Sequence, residues 1–167
     1  MIETARLRIR DLGTPDAPFI VELLNDPAFL RYIGDRGVRS DQDAVAYIEK
    51  GPAASYARHG FGLSAVEARD DGTLMGICGL LQRDELDSPD LGFAFLPPFR
   101  RRGFAREAAE AVLVDAAARL GITRVLAITQ PDNASSMVLL ERLGFRFERM
   151  VRKAPADTEL RLYARTL

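Results

Sequence analysis

The sequence predicts an α/β fold in one domain over residues 1–167, with a mixed sheet of about seven strands flanked by about four helices. The first observation is a strand–helix–strand unit in the middle of the chain. A buried apolar run at 91–96 ends in two prolines, and apolar residues then recur at helical spacing from Ala105 to Leu120. Gly121 ends this helix, and a β-rich run follows at 122–129. This order predicts a right-handed parallel crossover.

The second observation is a β-hairpin just upstream. Two β-rich runs, 61–69 and 73–82, are separated by Asp70, Asp71 and Gly72, which is a tight-turn sequence. The third observation is the composition, because 167 residues with 47% hydrophobic content suit one globular domain with a substantial core.

The N-terminal third predicts one strand and two helices. Residues 5–10 alternate between apolar residues and arginine, as a half-buried strand does. Thr14, followed by a proline, begins a helix that ends near 25–27. Ser40 caps a second helix, with Asp43 at capping-box spacing. The sequence also predicts a short helical or turn segment at 29–33 and a restart of the second helix from 51 to 58. The side chains of these helices that are expected to point inward are Phe19, Ile20, Leu23, Leu24, Ala44, Val45, Tyr47 and Ile48.

The C-terminal part predicts one more helix and a final pair of strands. Residues 131–133 begin the helix and Gly144 closes it. The two strands occupy 145–149 and 160–167, with a turn at 153–157. The inward side chains of the helix are expected to be Met137, Val138, Leu140 and Leu143.

Charge and cysteine content exclude several classes of function. A net charge of −1 indicates neither a nucleic-acid nor a membrane partner. Cys78 is the only cysteine, so we expect a buried apolar thiol, with no intramolecular disulfide and no cysteine-rich metal site. No bound metal of any kind is expected. No run is long enough for a membrane span and no signal-peptide core is present, so a cytoplasmic protein is expected.

A basic, glycine-containing turn precedes the central helix. Arg100, Arg101 and Arg102 are followed by Gly103, which allows an anion to approach the backbone closely. The first N–H groups of a helix have no partner within the helix and carry the positive end of its dipole. The turn is neither a nucleotide-hydrolase loop nor a dinucleotide fingerprint, since it lacks their lysine and further glycines. These residues therefore predict an anion site, most plausibly for phosphate.

Three of these residues also match a family signature. Arg100, Gly103 and Ala105 occupy the marked positions of Arg/Gln-x-x-Gly-x-Gly/Ala, which resembles the signature of the GCN5-related N-acetyltransferases (GNAT). A second segment, Asn133-Ala-Ser-Ser136 followed by Glu141-Arg-Leu-Gly144-Phe145, is similar to the RimJ/RimL-like branch. The opening at 3–10 is also similar to that branch, and the order of elements extends the resemblance over the full chain.

The resemblance implies a fold in which two parallel central strands splay apart and hold acetyl-CoA between them. It implies transfer of acetyl to a primary amine, by direct attack in a ternary complex. A backbone N–H near Phe95 or Leu96 would bind the thioester carbonyl oxygen. The implied cofactor-binding residues are Phe95, Leu96, Arg100, Arg101, Arg102, Gly103, Phe104, Ala105, Asn133 and Ser136. Asparagine is also among the best helix caps, so a purely capping role stays open for Asn133.

The resemblance places the catalytic residues less firmly. Several branches have a tyrosine general acid where this chain has Leu140, and Ser136 is the replacement candidate. Asp90 and Glu67 are candidates for a general base or for orienting the amine. Tyr32, Arg31 and Asp90 are candidates for contact with the acceptor.

Two alternatives and several partners stay open on the sequence alone. The acceptor is expected to be a protein N-terminus or a small-molecule amine, and the protein a monomer or homodimer. The missing tyrosine leaves open a catalytically weak module that binds acyl-CoA as a sensor. A phosphate-binding domain unrelated to acetyl transfer is the remaining alternative.

Overall fold

The computed structural model describes residues 1–154 and 156–167. In this part of the chain eight strands form one sheet, and six α-helices accompany it. The strands are β1 (Ile2–Glu3), β2 (Leu7–Asp11), β3 (Leu63–Ala68), β4 (Leu74–Leu81), β5 (Asp90–Phe95), β6 (Arg124–Thr129), β7 (Arg146–Lys153) and β8 (Thr158–Thr166). The helices are α1 (Ala17–Leu24), α2 (Pro27–Tyr32), α3 (Asp41–Ile48), α4 (Ala54–His59), α5 (Phe104–Leu120) and α6 (Ala134–Arg142).

The sheet is mixed, as the sequence predicts. Its strand order is β1-β2-β3-β4-β5-β6-β8-β7, with β5 and β6 parallel and the other neighbours antiparallel. The described residues contain one strand more than expected because β1 spans only Ile2–Glu3, which is too short to show an alternating pattern. The helices outnumber the expected four because Asp26 caps a separate α2, and a π-turn at Glu49–Ala53 divides α3 from α4.

The two faces of the sheet carry separate apolar cores. On one face, α5 and α6 pack on residues such as Leu7, Leu91 and Val125. On the other, α1, α2 and α3 pack on Ala65 and Ile77. Successive residues of a strand point to opposite faces, so β5 contributes Leu91 and Phe95 to the first core while its Ala94 packs against the second.

Local sequence features explain where the helices begin. The Ser40 side chain accepts a hydrogen bond from the Asp43 N–H, and the Asp43 side chain accepts one from the Ser40 N–H, which confirms the predicted capping box. The first helix begins later than expected, since Thr14–Asp16 forms a 3-10 turn before α1. Glycines in the left-handed region flank α5, at Gly103 (φ 81°) and Gly121 (φ 65°).

Some apolar residues within the predicted helical stripes, including the stripe from Ala105 to Leu120, are exposed. Ala117 lies on the solvent side of α5, and Val138 in α6 is 46% exposed. The apolar stripe of a helix covers about 100° of its circumference, and residues at the edge of the stripe lie outside the contact with the sheet. The edge strand β7 also leaves Phe147 and Met150 partly exposed. The expected turn at 153–157 includes position 155, which lies outside the described residues.

Two further findings concern burial and membranes. Cys78 is fully buried in β4, as predicted, and burial raises the pKa of its thiol to about 12. Among the described helices, none has the length and apolar character needed to cross a membrane.

Gly79 is expected to be the glycine of the sheet least tolerant of a side chain. A Cβ at this position would lie 2.0 Å from the carbonyl oxygen of Gly62, on the neighbouring backbone, so β3 and β4 would have to separate. We expect Gly79→Ala to lower the free energy of unfolding by about 1–3 kcal/mol or more. Urea denaturation measures this loss.

Gly51→Ala is the matched control, because nothing lies within 4 Å of its added Cβ. We expect this variant to be neutral or slightly stabilising, since alanine restricts the unfolded chain. Equal stabilities of the two variants would contradict the packing explanation.

Candidate active site

The central feature of the site is a gap between β5 and β6. In the described chain these parallel strands are paired only at Asp90 and Leu126, where the Leu126 N–H donates to the Pro89 carbonyl at 2.9 Å. Toward their carboxyl ends the strands are no longer paired, and we call this unpaired region of the sheet the gap. The predicted splay of the central strands is therefore present.

The ladder between β4 and β5 determines which N–H groups face this gap. The Leu96 N–H donates to the Met75 carbonyl at 2.9 Å and so points toward β4. N–H direction alternates along an antiparallel ladder, so the N–H groups of Phe95 and Phe93 point toward β6. Of the two predicted donors, only Phe95 thus presents its N–H to the gap. Phe93 was not predicted, because strand register cannot be read from the local sequence.

The loop between β5 and α5 presents a set of backbone N–H groups at the open end of the gap. Gly103, the residue before α5, has no side-chain cap, and Arg101 is also left-handed (φ 59°). Among the hydrogen bonds of the described residues, none uses the N–H groups of Phe104, Ala105 or Arg106. Left-handed residues combined with free helix N–H groups form an anion-binding concavity.

A network from the start of the chain holds this loop in place. Glu107 accepts hydrogen bonds from the Thr4 hydroxyl (2.6 Å) and the Arg6 N–H (2.9 Å), and pairs with the Arg6 guanidinium at 2.7 Å. Arg6 also donates to the Arg102 carbonyl (3.0 Å) and lies over the Phe104 ring at 4.3 Å. Burial acts to raise the pKa of Glu107, but these hydrogen bonds together lower it, so its carboxylate stays charged.

The three arginines of the loop have different surroundings. Arg100 pairs with Asp26 at 2.5 Å and donates to the Phe95 carbonyl at 2.9 Å. It therefore ties the loop to α2 and to the end of β5. Arg101 and Arg102 are exposed, and within the described chain neither has an acidic partner. The charges of Arg101 and Arg102 can therefore pair with an anion. Contact of Arg100, Arg101 and Arg102 with phosphate stays a prediction.

Ser136 and Asn133 meet at the start of α6, beside the carboxyl end of β6. The Asn133 side chain accepts from the Ser136 N–H at 3.4 Å, so it acts as a helix cap. The Ser136 hydroxyl is half-buried and makes no hydrogen bond among the described residues. Leu140, where other branches have tyrosine, is 1% exposed and packs in the core. Ser136 thus has a hydroxyl group without a hydrogen-bond partner among the described residues, and its role as the general acid stays a prediction.

The predicted acceptor residues of α2 lie across from this turn. Arg31 pairs with Asp132 at 3.0 Å, and its carbonyl accepts from the Gln130 side chain at 3.4 Å. Its guanidinium also lies 5.1 Å from the Tyr32 ring. The structure therefore brings α2 together with the loop that precedes α6, at the carboxyl edge of the sheet.

Asp90 lies at the other end of β5, on the α1–α3 face. It is 1% exposed and pairs with Arg83, whose Nε lies 3.0 Å from Oδ1. Burial raises the pKa of the Asp90 carboxyl, and the positive charge of Arg83 offsets this only in part. A raised pKa makes the Asp90 carboxylate a stronger base than an exposed aspartate. Phe93 is three residues farther along β5, about 10 Å away.

Glu67 is not near Asp90. The register places Glu67 opposite Leu74 and Asp90 opposite Leu81, at opposite ends of β4. The Glu67 carboxylate is 3.3 Å from Arg8 and 3.0 Å from Arg10, as in a structural ion-pair network. The two base candidates therefore do not form one site, and their roles stay predictions.

These features fit the acetyl-CoA that the resemblance implies. The N–H groups before α5 suit a diphosphate, and the gap leads from them along β5 to the N–H groups of Phe95 and Phe93. A Cβ at Gly103 would project from the loop and lie 3.3 Å from the Arg6 side chain. The residues before α5 thus suit a diphosphate, and their binding to acetyl-CoA stays a prediction.

Comparisons with known proteins agree with this geometry. The sequence model described as the acetyltransferase (GNAT) domain matches residues 6–146, which is most of the chain. The chain is 28% identical over 152 residues to the uncharacterized N-acetyltransferase YnaD of Bacillus subtilis (strain 168). That alignment covers 91% of this chain and 86% of YnaD.

Solved structures share the fold. A GNAT-family acetyltransferase from Bacillus anthracis superposes with a TM-score of 0.82 at 23% identity, covering 99% of this chain and 97% of that one. RimL, the ribosomal L7/L12 α-N-protein acetyltransferase, in complex with coenzyme A, superposes with a TM-score of 0.82 at 18% identity. The alignment covers 98% of this chain and 96% of RimL.

Proposed function

The chain belongs to the acetyltransferase (GNAT) family and is an acetyl-CoA-dependent acetyltransferase, and from this premise we propose that its acceptor is a primary amine. The amine is either the α-amino group of a protein N-terminus or that of a small molecule. The observation that carries the proposal is the gap between β5 and β6, which leads from the N–H groups before α5.

Each end of the gap has its own part in binding. The N–H groups of Phe104, Ala105 and Arg106 hold the diphosphate, and Arg101 and Arg102 add positive charge. The N–H groups of Phe93 and Phe95 face the pantetheine arm and the thioester, where one of them donates to the carbonyl oxygen. Because these donors are fixed by the sheet, they need no reorganisation when negative charge develops on that oxygen.

The transfer requires that the acceptor nitrogen lose two protons and that the departing thiolate gain one. The ammonium of the acceptor loses a proton before its nitrogen attacks the thioester carbonyl carbon, and Asp90 takes up this proton through water. The C–N bond then forms, the C–S bond breaks, and the thiolate of coenzyme A takes a proton. We assign the proton on the thiolate to the Ser136 hydroxyl, which has no other hydrogen bond among the described residues. The serine oxygen regains a proton through water when the attacking nitrogen loses its second proton and becomes the amide. Glu67 is the weaker base candidate, since two arginines already neutralise it.

The amine acceptor is supported by the names of relatives and by the position of α2. RimL acts on the α-amine of a ribosomal protein, and its fold is shared. In this chain Arg31 and Tyr32 lie beside the loop before α6, so an acceptor entering there would pass them. We therefore place the entry of the amine between α2 and that loop.

The test is calorimetric titration with acetyl-CoA, followed in the same sample by measurement of coenzyme A release. The acceptor panel contains N-terminal peptides, amino acids and polyamines. We expect binding, and release that depends on an amine. Binding without release for any amine would favour a sensor module instead, and absence of binding would contradict the acetyl-CoA site itself.

Ser136→Ala is expected to lower kcat by about 10²-fold, the lower end of general-acid effects, while leaving acetyl-CoA affinity nearly unchanged. The physical reason is that the departing thiolate loses its proton donor. Steady-state kinetics and calorimetry measure the two quantities separately. The matched control is Ser135→Ala, because Ser135 is the exposed neighbour that bonds Asn133 at 3.3 Å. An unchanged kcat in Ser136→Ala would assign the proton to water.

A further inference from the structure

The carbonyl group of Phe95, the last residue of β5, faces the gap. The register pairs Phe95 with Gly76, and the adjacent Leu96 N–H donates across to the Met75 carbonyl. Because hydrogen-bonded pairs alternate along an antiparallel ladder, both the N–H and the carbonyl of Phe95 point away from β4. Among the described residues β6 offers this carbonyl no partner, since the two strands are paired only near the other end of β5. A buried carbonyl of this kind requires a partner from elsewhere.

Arg100 provides that partner. Its Nε donates to the Phe95 carbonyl at 2.9 Å, and Nη2 of the same guanidinium donates to Asp26 Oδ2 at 2.5 Å. A guanidinium has several donors in a fixed plane, so one arginine can hold both oxygens at once. The peptide between Phe95 and Leu96 is thus held on both sides, by Arg100 at its carbonyl and by β4 at its N–H.

Asp26 holds the other side of this contact and also begins α2. Its side chain is buried, and Oδ2 accepts the N–H groups of Ala28 at 3.1 Å and Phe29 at 3.2 Å. The same oxygen accepts the Arg100 guanidinium. One carboxylate oxygen therefore connects Arg100, and through it the end of β5, to the helix that borders the proposed entry of the amine.

We infer that Arg100 and Asp26 are positioning residues of the acetyl transfer, and the inference rests on the proposed function. Arg100 fixes the peptide that follows Phe95, and so keeps the Phe95 N–H directed at the thioester carbonyl oxygen. Asp26 orients Arg100 and holds α2 in the same frame. A donor fixed in this way needs no rearrangement when negative charge develops on the oxygen. The Arg100 guanidinium therefore acts on turnover, whereas Arg101 and Arg102 act on the affinity for acetyl-CoA.

Arg100→Gln is the first test. Complete loss of an oxyanion donor costs about 10²–10³-fold in kcat, so we expect a misdirected donor to cost about tenfold or more. The Kd for acetyl-CoA should change less than about threefold, because an interaction that strengthens in the transition state changes kcat rather than binding. Steady-state kinetics with the best amine of the panel and calorimetric titration measure the two quantities separately.

Arg100→Lys separates positioning from charge. Lysine keeps the positive charge but lacks the planar fork, so it cannot hold Asp26 and the Phe95 carbonyl together. We expect its kcat to stay about tenfold or more below that of the unmodified chain. A guanidinium that acts by charge on the diphosphate gives the opposite pattern, in which Arg100→Gln weakens acetyl-CoA binding at unchanged kcat and Arg100→Lys restores it.

Hydrogen exchange reports the positioning without any ligand. The Leu96 N–H belongs to the peptide whose carbonyl Arg100 holds, so its exchange should be at least about tenfold faster in Arg100→Gln. Arg119→Gln is the matched control, because it breaks the pair with Asp115 (2.9 Å) at the far end of α5. Its Leu96 exchange, kcat and Kd should equal those of the unmodified chain.

A double variant, Asp26→Asn with Arg100→Gln, tests whether the two residues act as one unit. It removes both charges and so leaves no unpaired buried carboxylate, which keeps the test available if Arg100→Gln alone does not fold. Asparagine retains an oxygen that can cap α2. The kcat of the double variant should equal that of Arg100→Gln, whereas independent roles would lower it further by the factor seen in Asp26→Asn alone.

An unchanged kcat in Arg100→Gln or in the double variant overturns the inference, as does full activity in Arg100→Lys. Unchanged Leu96 exchange, or a double variant slower than Arg100→Gln, overturns it as well. An unmodified chain that binds no acetyl-CoA, or that binds it without amine-dependent release of coenzyme A, would instead contradict the proposed function. The unmodified chain is measured first, so the two failures are distinguished.

Discussion

The Gly103→Val variant is expected to lose acetyl-CoA affinity by about 10²-fold or more while keeping its fold. A Cβ at Gly103 would lie 3.3 Å from the Arg6 side chain, next to the start of α5. We expect the valine side chain to keep a diphosphate from reaching the N–H groups of Phe104 and Ala105. Each lost hydrogen bond to a charged group is worth about 1.5–3 kcal/mol, so the loss of two accounts for this factor. Calorimetric titration with acetyl-CoA measures the change.

Strain is the competing explanation, because Gly103 has a φ of 81° that suits valine poorly. The control is Gly121→Val, at the other end of the same helix. Gly121 has a φ of 65°, and nothing lies within 4 Å of its added Cβ. Both variants should show a similar loss of thermal stability, and only Gly103→Val should lose binding. Normal affinity in Gly103→Val would reject the diphosphate site.

The Asp90→Asn variant is expected to lower kcat by about 10²-fold or more, which is the contribution of a general base. The amide keeps the shape of the side chain and an oxygen that faces Arg83, but it cannot accept the proton of the ammonium. Acetyl-CoA affinity should change little, since the N–H groups that we propose hold the diphosphate lie beyond the other end of β5. Steady-state kinetics with the best amine of the panel measures the effect.

A purely structural role of Asp90 predicts a different pattern. Arg83→Gln breaks the same ion pair but keeps the carboxyl, so a structural role would make the two variants equally slow. If Asp90 is the base, Arg83→Gln stays active with a shifted pH profile. Removing the guanidinium withdraws a charge that favours the carboxylate, which raises the pKa of Asp90 further. In a plot of kcat/KM against pH, the rise on the acidic side should then move to higher pH.

Features of the fold encoded in a few neighbouring residues were predictable from the sequence. The capping box of Ser40 and Asp43 involves residues three apart, and the glycines at both ends of α5 mark their own left-handed conformations. Burial at the margins of helices was less predictable. Val138 falls within the helical stripe, yet it is 46% exposed because the neighbouring elements do not reach it.

The site was predictable only where its residues are contiguous. The turn from Arg100 to Ala105 is one segment, so its pattern could be recognised. The contacts that hold it could not, because Arg6 and Glu107 are 101 residues apart and Asp26 and Arg100 are 74 apart. Arginine in an alternating strand indicates only a solvent-facing position. Its partner depends on how the sheet places β2 beside α5.

The burial of Cys78 makes the protein a convenient subject for thiol chemistry. Disulfide reagents react with the thiolate, and this thiol is fully buried in a strand paired on both sides, with a pKa of about 12. A colour reagent added during turnover therefore reports the released coenzyme A without background from the folded enzyme. Over longer times, the rate at which this single cysteine is labelled reports how often the sheet opens around it, and so measures local unfolding at one residue.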